Sequence, residues 1–204
     1  IDAMTSEILY VDDLIMHIDF PTTAPSMYSG NVPIICNKTL SNIYTLNETS
    51  RGLGINTYSY YYTYYGSYST NTISSPDTLW RLNSNLRYGV DVHYALESSY
   101  DIFIQKFNRN SYDNSGHALN SYINYYGYTA ATYSGANFYF PMINGNNLAQ
   151  ATIEIVGHEY AHAVISKTAA LTGGAEARAL NEGFSDIFGV YGLAYFYINS
   201  CSLI

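Results

Sequence analysis

Along most of the chain, apolar residues fall in short runs broken by turn formers; in three places they recur at helical spacing. Residues 1–20 alternate apolar and acidic positions, with Ile8-Leu9-Tyr10-Val11 ahead of Asp12-Asp13, and read as a strand, a turn and a second strand. Pro21 and Pro25 then mark a break, a candidate linker. From Tyr28 to about Tyr68, short β runs punctuated by Gly30, Gly52, Gly54 and Gly66 predict antiparallel sheet. Between Asp91 and Phe107 the period changes. Val92, Ala95, Leu96, Tyr100, Phe103, Ile104 and Phe107 recur as on a helix, and Asp91 suits its first turn. Strand-like sequence returns from Leu119 to Phe140. Pro141 and Gly145-Asn146-Asn147 lead into a helix over 149–168, which Gly173-Gly174 would end. A last helix over 176–197 carries Leu180, Phe184, Ile187, Phe188 and Tyr191 on its expected buried side.

Composition narrows the picture. At 204 residues and 48% apolar, the chain suits one large domain or two small ones with a packed core. No run approaches a membrane span, and the N-terminus lacks a basic-plus-apolar signal pattern. A net charge of −8 with no Lys/Arg cluster argues against nucleic acid. Only 8 Lys+Arg are present, as expected of a charge-poor extracellular surface. The 24 Tyr concentrate between Tyr58 and Tyr65 and again from Tyr122 to Tyr139; they suit amphipathic strands or a self-associating surface. Cys36 and Cys201 could pair with each other, pair elsewhere or stay free. Asn37 and Asn47 open N-glycosylation sequons in polar, loop-like sequence.

The chemistry concentrates at His158-Glu159-Tyr160-Ala161-His162. On a helix this spacing puts two imidazoles one turn apart on one face, where both can reach one zinc ion. Glu159 points to the neighbouring face and can take a proton from water without being a ligand. A third ligand is needed. Glu182, in Asn181-Glu182-Gly183-Phe184-Ser185-Asp186, lies far enough along for a second helix to return beside the first. Asp186, one turn after Glu182, can accept a hydrogen bond from the far nitrogen of His158, and Asn181 can do the same for His162. Carboxylates facing the His helix amid apolar sequence would be costly to bury without a cation.

These residues resemble the thermolysin-like zinc metalloendopeptidases. The likeness extends to Tyr28-Ser29-Gly30-Asn31-Val32, Thr49-Ser50-Arg51-Gly52, Asp91-Val92-His93-Tyr94, Asn108-Arg109-Asn110-Ser111-Tyr112-Asp113, Ala130-Ala131-Thr132-Tyr133-Ser134-Gly135 and Asp186-Ile187-Phe188-Gly189, covering about Tyr28 to Tyr197. The resemblance implies an α+β fold with a β-rich N-terminal domain, a long helix, a central zinc helix and the first helix of a helical C-terminal domain. The implied boundaries are 1–20, similar to the last hairpin of the family's propeptide, then 21–172, then 173–204. It implies zinc held by His158, His162 and Glu182, with Asp186 and Asn181 behind the imidazoles. Glu159 would activate water for attack on a zinc-polarised peptide carbonyl, and Ala131 and Tyr133 would meet the substrate. The implied partner is a peptide or protein, and the implied location is secreted.

Four departures bear on activity. The chain stops at Ile204, where the family carries a further helical domain supplying a His and an Arg to the oxyanion; His17, His93 and His117 are not in matching positions. Gly173 stands where a Tyr donor is usual. Ala130 replaces an Asn that binds substrate backbone, and Tyr133 replaces Trp. Glu154 matches a calcium-binding Asp, but its expected acidic partner on the next helix is Leu193, which speaks against calcium. The expectation for this chain alone is weak or absent peptidase activity. The competing reading is an extracellular Tyr-rich structural or self-assembling subunit built on a peptidase fold.

Overall fold

The computed structural model describes residues 18–62, 67–80, 84–125, 128–143 and 148–201. In chain order the elements are β1 (Ile18–Pro25), β2 (Asn31–Lys38), β3 (Tyr44–Thr45), β4 (Asn47–Glu48), β5 (Ile55–Tyr62), β6 (Tyr68–Thr72) and β7 (Ser74–Ser75), then α1 (Ser84–Phe107). They continue with β8 (Leu119–Ile123), β9 (Thr132–Ser134), β10 (Asn137–Phe140), β11 (Met142–Ile143), β12 (Leu148–Ala149), α2 (Ile153–Ser166) and α3 (Ala175–Cys201). The hairpin expected over 1–20 lies largely outside the described residues. No described helix is long and apolar enough to cross a membrane.

One sheet runs β1-β2-β3-β7 and a larger one β4-β5-β8-β10-β9, with β6 added to β5. Pro21 and Pro25 do not break the chain: both lie within β1, antiparallel to β2. An edge strand tolerates proline because the missing N–H costs no ladder bond on its open side. The β1–β2 turn is held from within and from below. Ser26 Oγ accepts from the Ser29 N–H at 2.6 Å, and Asp91 of α1 accepts from the Met27 N–H at 2.8 Å.

Strand pairing from β1 to β6 is antiparallel, but β5–β8 and β8–β10 are parallel. The β5–β8 crossover is α1, which is buried at almost every position from Tyr88 to Phe103 and packs against β2, β5, β8 and α2. It begins seven residues before the expected start at Asp91. Gly89 hides that first turn, because glycine reads as a break; a Cβ there would meet Ile73 Cδ1 at 2.8 Å and Leu46 Cδ1 at 2.9 Å. On the sheet's other face, Tyr58, Tyr122 and Tyr139 stack across β5, β8 and β10 with centroids 5.6 and 5.4 Å apart. Part of the tyrosine excess thus serves cross-strand packing.

Two helical expectations change. Helix α2 ends at Ser166, ahead of the glycines, because the Thr168 hydroxyl caps the Val164 carbonyl at 2.9 Å and the chain turns at Lys167. On α3 the face that packs inward carries Ser185, Phe188, Gly189 and Gly192; Leu180, Phe184, Ile187 and Tyr191 are exposed. Small residues let α3 lie close on α2, which turns the larger apolar stripe outward. Asn37 is 4% exposed within β2, not in a loop, so its sequon is shielded in the fold. Cys36 is a free, buried thiol; the side chain of Cys201 is outside the described residues.

Candidate metal centre

Helix α2 buries Val156, Tyr160, Ala163 and Val164 and leaves His158 and His162 partly exposed on the opposite side. The rings stand edge to face, centroids 4.5 Å apart, as spacing of four on a helix requires. Ligand-capable atoms of His158, Glu159 and His162 all lie within 4.8 Å of one another. Antiparallel α3 brings Glu182 Oε2 to 3.4 Å from His158 Nε2 and 3.5 Å from His162 Nε2. These separations exceed a good hydrogen bond. Two ligands each about 2.1 Å from one tetrahedral ion would sit about 3.4 Å apart, so Glu182 already stands at the spacing of a shared zinc ion from each imidazole.

The far nitrogens are held outward. His158 Nδ1 is 2.9 Å from Asp186 Oδ1, and His162 Nδ1 is 2.8 Å from Asn181 Oδ1. Asn181 donates its amide N–H to the Leu171 carbonyl at 3.3 Å, which fixes its oxygen toward the imidazole. Each Nδ1–H therefore donates outward and each Nε2 lone pair faces Glu182, the tautomer a metal ligand needs. Ser185, fully buried, places its Oγ 3.0 Å from the same His162 Nδ1. The sequence reading missed it, although it lies one turn beyond Asn181 on the same side of α3. The helices meet through glycines: a Cβ on Gly157 would lie 3.3 Å from Gly189 Cα.

Glu159, 7% exposed, lies between the imidazoles and β9, the free edge of the larger sheet. Its Oε2 accepts from the Tyr133 backbone N–H at 2.7 Å. Burial pushes its carboxyl above the usual range, while the Tyr133 N–H and the two imidazoles pull it back. Ala131, Tyr133, His158, Glu159, His162 and Glu182 line a cavity of about 560 Å³. A second, of about 550 Å³, shares Ala130, Ala131, His158 and Glu159 with it and adds Gln150 and Val190. Together they form one cleft along the β9 edge.

All six residues expected at the metal thus meet in one place, and Ala131 and Tyr133 border the same cleft. The Tyr133 ring packs against Tyr112 and Phe138, centroids 5.9 and 5.2 Å away, so its backbone is what binds Glu159. Gly173 is exposed at φ +110° with nothing near its Cβ position. Glu154 lines the second cavity and joins no group of three ligating side chains among the described residues; Leu193 packs on the core. His93 is buried between Thr57 Oγ1 and the Ile35 carbonyl, far from the centre in role, and burial lowers it to about 4.

Residues 22–166 match the thermolysin metallopeptidase catalytic domain. The chain is 31% identical over 194 residues to a bacillolysin of Bacillus amyloliquefaciens, a match covering 94% of this chain and 37% of that protein. It is 34% identical over 165 residues to a thermolysin of Alicyclobacillus acidocaldarius subsp. acidocaldarius, covering 76% of this chain and 28% of that protein. Among solved structures it resembles the precursor of protealysin, a metalloproteinase from Serratia proteamaculans. The TM-score is 0.54 at 27% identity, over 70% of this chain and 44% of the other. The matches span less than half the length of each of these relatives. With an α+β fold, a matching catalytic domain and these relatives in agreement, the chain belongs to the thermolysin metallopeptidase family.

Proposed function

We propose that this protein is a zinc-dependent endopeptidase. The observation that carries the reading is the convergence of two imidazole Nε2 atoms on Glu182 Oε2 beside a buried carboxyl, in a cleft bordered by a free strand edge. His158, His162 and Glu182 would hold the ion, a donor set of two nitrogens and one oxygen suited to zinc. When bound, zinc supplies Lewis acidity, making water a better nucleophile and a peptide carbonyl a better electrophile.

The remaining chemistry belongs to the chain. Tyr133 N–H occupies Glu159 Oε2, so Oε1 is the atom free to accept a proton from the attacking water and return it to the leaving amine. A carboxyl raised by burial carries a proton at less cost than an exposed one. Asp186 and Asn181 hold the imidazoles in the tautomer that keeps each Nε2 unprotonated. The Ala131 carbonyl, one residue before β9, would accept from a substrate N–H.

The test is hydrolysis of casein by the zinc-loaded protein in the longest form its source makes, because this chain alone is expected to cleave weakly or not at all, with Glu159→Gln alongside. Cleavage that a chelator stops and zinc restores, and that Glu159→Gln lacks while still binding zinc, is the expected result. A zinc-loaded protein that cleaves nothing, or a Glu159→Gln variant as active as the parent, would refute it. The charge-poor composition supports action outside the cell, which the protein's recovery from culture medium would test.

A further inference from the structure

We propose that Gln150 is a substrate-binding residue whose side-chain amide donates to a backbone carbonyl of the bound peptide. The inference rests on the endopeptidase reading. It begins with the hydrogen-bonding state of the β9 edge. Along a strand, the N–H and C=O of one residue point to the same side and the sides alternate. Thr132 and Ser134 pair with Tyr139 and Asn137 of β10, so Tyr133 turns its groups toward the cleft, and the same alternation continued to Ala131, just before the strand, matches its N–H contact to Gln150. Both outward donors are already taken. Tyr133 N–H goes to Glu159 Oε2 at 2.7 Å and Ala131 N–H to Gln150 Oε1 at 2.5 Å.

An extended peptide laid along a sheet edge exchanges N–H and C=O with it in turn. Here its N–H groups find the outward carbonyls of Ala131 and Tyr133, but its own carbonyls meet no free backbone donor. A carbonyl taken from water into the cleft without a donor would weaken binding. Gln150 answers that deficit. Because a backbone N–H can only donate, the oxygen of Gln150 must face Ala131, and the NH₂ group is the end left over. The residue lines the cleft beside Ala130, Ala131, His158 and Glu159, and no described residue accepts from that NH₂. Gln150 thus consumes one edge donor and offers two N–H groups in its place. The methyl side chains of Ala130 and Ala131 offer no donor there.

The test uses zinc-loaded protein carrying Glu159→Gln, so that peptides bind without being cut, with affinities read by calorimetry. A peptide series has one backbone carbonyl at a time replaced by methylene. With Gln150 intact, one position in the series should lose about three- to tenfold in affinity, the range for one neutral hydrogen bond. In Gln150→Met and Gln150→Glu the parent peptide should lose the same factor, and methylene at that position should cost nothing further. Gln150→Glu retains an acceptor for Ala131 N–H, so agreement between the two variants separates donor loss from a displaced strand. Unchanged affinity in both variants, or a loss spread equally over all positions, overturns the assignment. If the parent protein cleaves casein and only this coupling is missing, the Gln150 proposal alone fails. If no version binds or cleaves peptide, the endopeptidase reading falls with it.

Discussion

The contact between α2 and α3 can be tested with two alanine substitutions of opposite expected sign. A Cβ on Gly189 would sit 2.5 Å from the Glu154 carbonyl oxygen and 3.3 Å from the His158 nitrogen, both backbone atoms of α2. Ordinary contact begins near 3.4 Å, so the helices must part locally by about 0.9 Å. Overpacking of this kind costs about 1–3 kcal/mol. The gain in helix propensity from Gly to Ala returns about 0.8–1 kcal/mol, leaving Gly189→Ala less stable by up to about 2 kcal/mol. Gly183 lies on the same helix with nothing within 4 Å of its Cβ position, so Gly183→Ala receives the propensity gain alone. Parting the helices would also stretch the 2.9 Å link between His158 and Asp186; losing such a partner lowers metal affinity about 10–100-fold. Urea unfolding of both apo variants reads the stability, and zinc titration against a competing chelator reads the affinity. Equal signs in stability, or unchanged zinc affinity in Gly189→Ala, would refute the close helix contact as the device that sets the site.

Two further expectations concern the N-terminal sheets. Arg51 binds Asp101 through two nitrogens at 2.8 and 2.9 Å and Glu97 at 3.1 Å, with Glu48 Oε1 at 3.7 Å; Arg51→Met strands these carboxyls where they are ionised and should cost about 3–5 kcal/mol above about pH 8. Burial raises Glu97 to about 8 and lifts Glu48, so between about pH 4.5 and 8 the native state keeps protons that the unfolded chain releases. Stability contributed by Glu97 is therefore present below about 4.5 and lost as pH rises through 8. Without Arg51 that slope steepens, and denaturation at pH 5.5 and 8.5 should show a larger deficit at 8.5; an equal deficit at both refutes the argument. Burial raises the Cys36 thiol to about 12, and its Sγ donates to the Phe20 carbonyl at 3.3 Å. In a Cys201→Ser background, thiol reagents at pH 8 should label Cys36 only as fast as the protein unfolds; complete labelling within minutes in native buffer would contradict this.

The parts of the site that the sequence made legible are those set by local geometry. Two His at a spacing of four must share a helix face, and Asn181, Glu182 and Asp186 follow at intervals that place them along one stripe of the next helix. What stayed hidden depends on partners distant in the chain. Gly89 reads as a break until Ile73 and Leu46 are seen filling the space of its side chain. Pro21 reads as a linker until β1 is known to be an edge. The parallel pairing of β5 with β8 is set by α1 crossing between them, which no short window contains. Leu180, Phe184 and Ile187 have the spacing of a buried face, yet the glycines opposite them allow the closer approach. Gln150 carries no signal in the sequence, since its meaning comes from one backbone N–H, that of Ala131, 19 residues earlier.

His158, His162 and Glu159 on α2 are each held by a different neighbour, and this has a mechanical consequence. Asp186 holds His158, Asn181 and Ser185 hold His162, and β9 holds Glu159. The helix beneath them is fixed separately, through Tyr160 against Phe103 of α1 at 5.1 Å and Phe138 of β10 at 6.3 Å. Loosening α3 therefore frees the two imidazoles but leaves Glu159 anchored to the sheet edge. Loosening β9 frees Glu159 but leaves the imidazoles aimed. Metal affinity and proton transfer are in this way separable by substitution, although their residues are adjacent in sequence: changes on α3 should act first on the metal, and changes at β9 first on the base.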